Sequence, residues 1–204
     1  MRTTRLAVPV AVLLAASGLN AASAAARKPV CLQVVDASGD GMVAADQTSE
    51  ALDILSGDIA TGKRNLVAAM RLTTVERDQF QTTGVTYVWT WSVGGVTQRL
   101  AYYVYVGGTT SASFDPNTAA GASGDEVNVS AFADGATKTI TWTVARKLLG
   151  PVKKGAKFSA FKLTTHLGLN QRLSGEGRSQ VSVADTAQSG KSYVDGTITC
   201  LKGT

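Results

Sequence analysis

Alternation with a period of two residues, cut into short runs by glycine and proline turns, does most to narrow what this 204-residue chain can fold into. The clearest case lies mid-chain. Tyr87, Trp89, Trp91 and Val93 alternate with Thr86, Val88, Thr90 and Ser92, and Gly94-Gly95 follows. Then Leu100, Tyr102, Val104 and Val106 alternate with Arg99, Ala101, Tyr103 and Tyr105. A two-residue Gly-Gly turn pairs Val93 with Val96, Trp91 with Gln98, Trp89 with Leu100 and Tyr87 with Tyr102. Strand side chains point to alternate faces, so this register sorts them. Tyr87, Trp89, Leu100, Tyr102 and Val104 form a core face; Thr90, Arg99, Ala101, Tyr103 and Tyr105 form the opposite one. A four-residue loop preserves that sorting, whereas a three-residue loop reverses it.

The same rhythm recurs in Leu66, Ala68, Met70 and Leu72, in Ile140, Trp142 and Val144, and in Phe161, Leu163, Thr165, Leu167 and Leu169. Shorter candidate strands are 30–35, 52–60, 126–132, 180–184 and 196–201. Residues 145–149, closed by Gly150-Pro151, read as one short helical piece, and 107–125, with Asp115-Pro116-Asn117, as a loop. At 44% hydrophobic and 17% charged residues, neither a disordered chain nor a coiled coil fits. About eight to ten strands without a helical layer imply an all-β fold of two packed antiparallel sheets, in one domain spanning 27–204.

Residues 1–26 read as an export signal: Arg2 and Arg5, an apolar stretch at 6–16, then the small-x-small sites Ala22-Ser23-Ala24 and Ala24-Ala25-Ala26. Its removal leaves an expected secreted, extracellular protein, because no later apolar run approaches the roughly 20 residues of a membrane span. In an oxidising compartment Cys31 and Cys200 are expected to form a disulfide, the other reading being two buried thiols. The bridge needs Cα atoms about 4.4–6.8 Å apart, which makes neighbours of the first and last strands. The net charge of +5 falls when Arg2 and Arg5 are removed. The densest basic cluster, Lys153, Lys154 and Lys157, lacks interleaved aromatics and reads as a solvated loop rather than a nucleic-acid patch.

The order of motifs resembles exported bacterial β-sandwich modules related to family 9 carbohydrate-binding modules and DOMON domains. The residues carrying the likeness are Asp36-Ala37-Ser38-Gly39-Asp40, the 51–60 segment leading into 65–74, the Gly-Gly hairpin, 140–145 with Arg146-Lys147-Leu148-Leu149-Gly150, Asp185-Thr186-Ala187 and the Cys200 strand. The resemblance implies a jelly-roll-like sandwich that binds sugars in some relatives and haem in others, often with a structural calcium ion. Fold alone does not decide among them.

A sugar site needs aromatic faces beside polar groups. Tyr103, Tyr105 and Arg99, on the polar parity, are the candidates, with Trp91 near the turn as a rim residue; Trp89 and Trp142 read as core. For calcium, Asp36, Asp40, Asp53 and Asp58 supply hard oxygen donors near Gly39 and Gly41, although their spacing matches no EF-hand and Asp turn-capping is the ordinary reading of such a cluster. Haem would depend on His166, Met42 and Met70, which are weak candidates as axial ligands. No nucleophile elbow, zinc-protease helix motif, phosphate loop or dinucleotide fingerprint is present. The expected function is therefore non-catalytic binding of an extracellular glycan or cell-wall polymer. The alternatives are a structural or protein-interaction module and, third, a glycoside hydrolase using carboxylates such as Asp125-Glu126.

Overall fold

The computed structural model describes residues 31–44, 47–75, 84–118, 126–168, 182–201 and 203. The leader, Asp125, Leu169 and residues 180–181 lie outside them. The early strands are β1 (Val34–Val35), β2 (Met42–Ala44), β3 (Gln47–Thr48), β4 (Ile54–Thr61) and β5 (Asn65–Leu72). The hairpin follows as β6 (Val85–Val93) and β7 (Val96–Val104), then β8 (Thr110–Asp115), β9 (Val127–Asn128), β10 (Ser130–Asp134) and β11 (Thr139–Ala145). After a 3-10 turn at Arg146–Leu149 come β12 (Lys157–Leu167), β13 (Ser182–Ser189) and β14 (Tyr193–Val194). One sheet has the order β1-β4-β5-β11-β10. The other runs β13-β12-β6-β7-β8-β9, with β14 also paired to β12. All pairings are antiparallel, and the two sheets pack as an all-β sandwich. Among the described residues, no helix is long and apolar enough to cross a membrane.

The hairpin register is the expected one, from Val93↔Val96 through Tyr87↔Tyr102. Gly94 and Gly95 have φ of 60° and 82°, a left-handed pair that glycine adopts without a Cβ penalty. Its core parity is buried as sorted. The loop expected at 107–125 is corrected in its first half. Thr110–Asp115 is a strand that sets Leu100 opposite Phe114 and Tyr102 opposite Ala112. Only two apolar residues mark it, and the surrounding Thr and Ser hide the alternation. The terminal strand expected at 196–201 is likewise displaced to Tyr193–Val194.

Cross-sheet indole bonds hold the layers together. Trp89, on β6, donates its ring N–H to the Ala69 carbonyl of the facing sheet at 3.2 Å. Trp142, on β11, returns the favour to the Ala101 carbonyl of β7 at 3.1 Å. Each ring thus fills the core while its one polar atom is satisfied. Trp89 also packs edge-on against Phe161, with centroids 5.6 Å apart. Gly57 sits beneath them, where a Cβ would come within 2.7 Å of Trp89 Cζ2, so only glycine fits.

Cys31 and Cys200 are bridged, with Cα atoms 5.2 Å apart. The first and last strands do not share a sheet. β1 belongs to the five-stranded sheet and β14 to the seven-stranded one, so the bridge links flanks of different sheets. Around it, the Tyr193 hydroxyl accepts from the Thr61 N–H at 3.0 Å, and Asp195 takes both Arg146 guanidinium nitrogens at 2.9 and 2.6 Å.

Candidate functional site: the outer face of the seven-stranded sheet

The side of the seven-stranded sheet turned away from the core is not an ordinary solvated face. Register places its side chains in rows. Gln188, Lys162, Thr90, Arg99 and Asp115 form one; Thr186, Thr164, Val88, Ala101, Ser113 and Asn128 the next; Val183, His166, Thr86, Tyr103 and Ser111 a third. Amphipathic strands normally leave such residues in water. Here Thr86 is fully buried, Tyr103 is 4% exposed and His166 8%, and Ser113, Asp115 and Thr164 are buried too. Polar groups sheltered in this way must be hydrogen-bonded or the fold loses stability.

Most are. The Tyr103 hydroxyl donates to Glu126 Oε1 at 3.2 Å, Ser113 Oγ donates to the same oxygen, and Arg99 Nη1 lies 3.5 Å from it. Arg99 Nη1 also donates to the Tyr103 hydroxyl at 3.4 Å. Tyr105 Oη and Ser111 Oγ are 2.8 Å apart, and the Tyr103 and Tyr105 rings lie 6.2 Å apart, centroid to centroid. Burial pushes the Tyr103 phenol above its usual range, with Arg99 acting in the opposite sense. Thr164 Oγ1 meets His166 Nε2 at 2.9 Å, while His166 Nδ1 is buried with no hydrogen-bond partner among the described residues.

Burial, reinforced by the positive charges of Arg99 and Lys162, lowers the His166 pKa to about 4. Since the unfolded imidazole titrates near ~6.5, the neutral ring stabilises the fold above that pH. This contribution, on the order of 3 kcal/mol, is lost as pH falls through about 4. Beside this layer an open recess of about 460 Å³ is lined by Thr90, Ala160, Lys162, Gln188 and Gly190. A bulge between Ser159 and Lys162 shapes it, with Ala160 at φ 52° turned outward.

Of the sequence candidates, Arg99, Tyr103 and Tyr105 meet on this face. Trp91 does not. It is fully buried, its indole N–H bonded to Gln98 Oε1 at 3.0 Å and its ring stacked on Phe114. The expectation of a rim residue is corrected because Gln98, polar and near the turn, is itself buried as that indole's partner. Tyr103 is corrected in part, contributing a hydroxyl to a buried network rather than an open ring. Thr86, Ser113 and Thr164 carry no local signal, since only cross-strand register brings them together; Glu126, a candidate hydrolase carboxylate in the sequence, and His166, a candidate haem ligand there, instead join this polar layer.

The acidic candidates separate. Oxygens of Asp36, Asp40 and Asp185 lie within 4.8 Å of one another at one end of the sandwich. Asp53 instead caps the turn, accepting from the Gly39 N–H at 2.8 Å, the Asp40 N–H at 3.3 Å and the Thr73 hydroxyl. Asp58, on β4, accepts from the Gln33 N–H at 3.3 Å. Asp185 replaces these two in the group, arriving from β13 with its Oδ2 on the Ile54 N–H at 2.7 Å.

Burial first, then the charges of Asp36 and Asp40, raise the Asp185 pKa to about 6, and burial also raises that of Asp36. Asp185 therefore favours the fold below ~4, and that contribution is lost as pH rises through about 6, the opposite sense to His166. Three crowded carboxylates, with Asp36 Oδ2 buried and unpartnered among the described residues, suit a hard divalent cation bound through oxygen. The expected outcome of adding millimolar calcium at pH 7.5 is a melting midpoint raised by a few degrees, with the gain absent from Asp40→Asn. An unchanged midpoint would leave the trio as turn chemistry.

Comparison of this chain with protein-family models, with curated proteins and with solved structures found no match.

Proposed function

We propose that this chain is a secreted, non-catalytic binding module that takes a carbohydrate or cell-wall polymer on the outer face of its seven-stranded sheet. The observation that supports the reading is the sheltered polar layer itself. Thr, Ser, Tyr, His, Arg and Glu side chains are held in fixed hydrogen-bonded positions away from the core, beside an open recess. Sugar hydroxyls donate and accept at once, and a face mixing hydroxyl, imidazole, guanidinium and carboxylate groups supplies both kinds of partner. Tyr105 and Ser111, which are half-buried, and Lys162 and Gln188, which are exposed, provide its accessible rim. The disulfide suits an oxidising destination.

The test is a glycan array that includes soluble cell-wall fragments, followed by affinity electrophoresis on whichever polysaccharide is retained. Arg99→Ala and Tyr105→Ala are each expected to weaken retention about tenfold, in line with the loss of one or two buried polar contacts. Retention unchanged in both variants would rule this face out. The interaction-module alternative draws on β10, an edge strand carrying Phe132 at 68% exposure. Under that reading the array stays blank and Phe132→Ser abolishes capture of a protein partner.

A further inference from the structure

A second recess, of about 620 Å³, opens at the end of the sandwich that carries the β6–β7 turn. The 3-10 turn at Arg146–Leu149 stops at Gly150, whose φ of 73° reverses the chain. Residues 150–156 then fold back, fixed by the Val152 N–H on the Gly150 carbonyl at 2.8 Å and the Ala156 N–H on the Lys153 carbonyl at 3.0 Å. Gly94 of the β6–β7 turn, this loop and Pro116-Asn117, just after β8, all line the cleft.

The floor includes Gln98, whose amide is engaged at both ends: Oε1 accepts from the Trp91 indole at 3.0 Å and Nε2 donates to the Leu149 carbonyl at 3.0 Å. What remains for a ligand is mainly apolar, from Val93, Val96, Pro116, Leu149, Pro151 and Val152. Lys153 and Lys154 stand exposed in the lining, which holds no carboxylate among the described residues. Neither lysine makes an ion pair among the described residues. The nearby Asp195 is already neutralised by Arg146.

An apolar trough of this size with two exposed cations and no acid among the described lining residues is complementary to one kind of small molecule. We propose that this cleft binds a free amphipathic carboxylate, its acyl or aryl body seated against the apolar walls and its carboxylate held by Lys153 and Lys154. The lysine cluster then serves as the head-group end of a binding site rather than as a solvated loop. Burial of apolar surface supplies the affinity, and the charge pair selects the acid over the alcohol.

Calorimetry on the disulfide-bonded protein, with hexanoate, octanoate, decanoate and decanol below their aggregation concentrations, tests this. Affinity is expected to rise up to about fourfold for each added methylene. Decanol should bind at least tenfold more weakly than decanoate, and the Lys153→Ala/Lys154→Ala pair should reduce decanoate to the level of decanol. Both lysines are exposed, so the variant retains the fold, which an unchanged melting midpoint verifies.

Decanoate should also move the NMR signal of the Trp91 indole N–H through Gln98 and leave His166 unmoved, which separates this cleft from the outer face. Three results would overturn the assignment: no decanoate binding at low millimolar concentration, equal binding of decanol and decanoate, or a decanoate affinity untouched by loss of both lysines. Capture by anionic vesicles without monomeric decanoate binding, or a dimer abolished by Val96→Lys, would reassign the cleft to a membrane or to a second copy of the chain and overturn it as well.

Discussion

Replacing Cys31 and Cys200 together by serine is expected to lower stability by about 2–5 kcal/mol, with the folded structure retained. The bridge spans a sequence separation of 169 residues, and closing so long a loop removes much of the freedom of the unfolded chain. Chain-entropy arithmetic puts the upper limit near ~5 kcal/mol. The Tyr193–Thr61 and Asp195–Arg146 contacts hold the same end of the sandwich without the sulfurs, so the variant still closes. Because the effect lies in the unfolded state, the urea dependence of unfolding should steepen when the bridge is lost, as the freed chain exposes more surface. A double-serine variant with unaltered midpoint and slope would show that the clasp contributes nothing to the fold.

Trp142→Ala is the second large effect, at about 3–5 kcal/mol, or a fall of roughly 8–15 °C in the melting midpoint of a domain this size. Trp142 is fully buried in the five-stranded sheet and reaches across the core to the Ala101 carbonyl of the other. Truncation leaves a cavity between the layers and removes that carbonyl's indole donor. Trp142→Phe separates the two causes. It keeps most of the ring volume and removes only the donor, so it should cost about 1–2 kcal/mol. Equal losses in both variants would mean that the hydrogen bond, rather than the packed ring, holds the sheets together.

How much of this was legible in the chain depended on whether the signal was local. The Gly94-Gly95 turn carried its own register, because two left-handed residues between alternating runs admit few loops. Trp142 and Met70 announced their burial by parity. Trp91 misled because Gln98, its partner, looked like a rim residue. Only the 3-10 turn, through the Leu149 carbonyl, explains why that amide is buried. β8 was hidden because Ala112 and Phe114 are its only apolar residues. The acidic trio and the polar layer were illegible for another reason. Asp185 joins Asp36 and Asp40, and His166 joins Thr86 and Tyr103, only through pairings that no local spacing encodes.

The outer face carries the functional reading, and the chain's single histidine lies within it. An NMR titration of the His166 ring, without and then with the polysaccharide retained on the array, therefore tests the account most directly. The prediction is a free-protein midpoint at about 4 and ring signals that move when the polysaccharide binds. A midpoint near the ordinary ~6.5, with signals indifferent to the bound polysaccharide, would contradict both the sheltered polar layer and the site built on it.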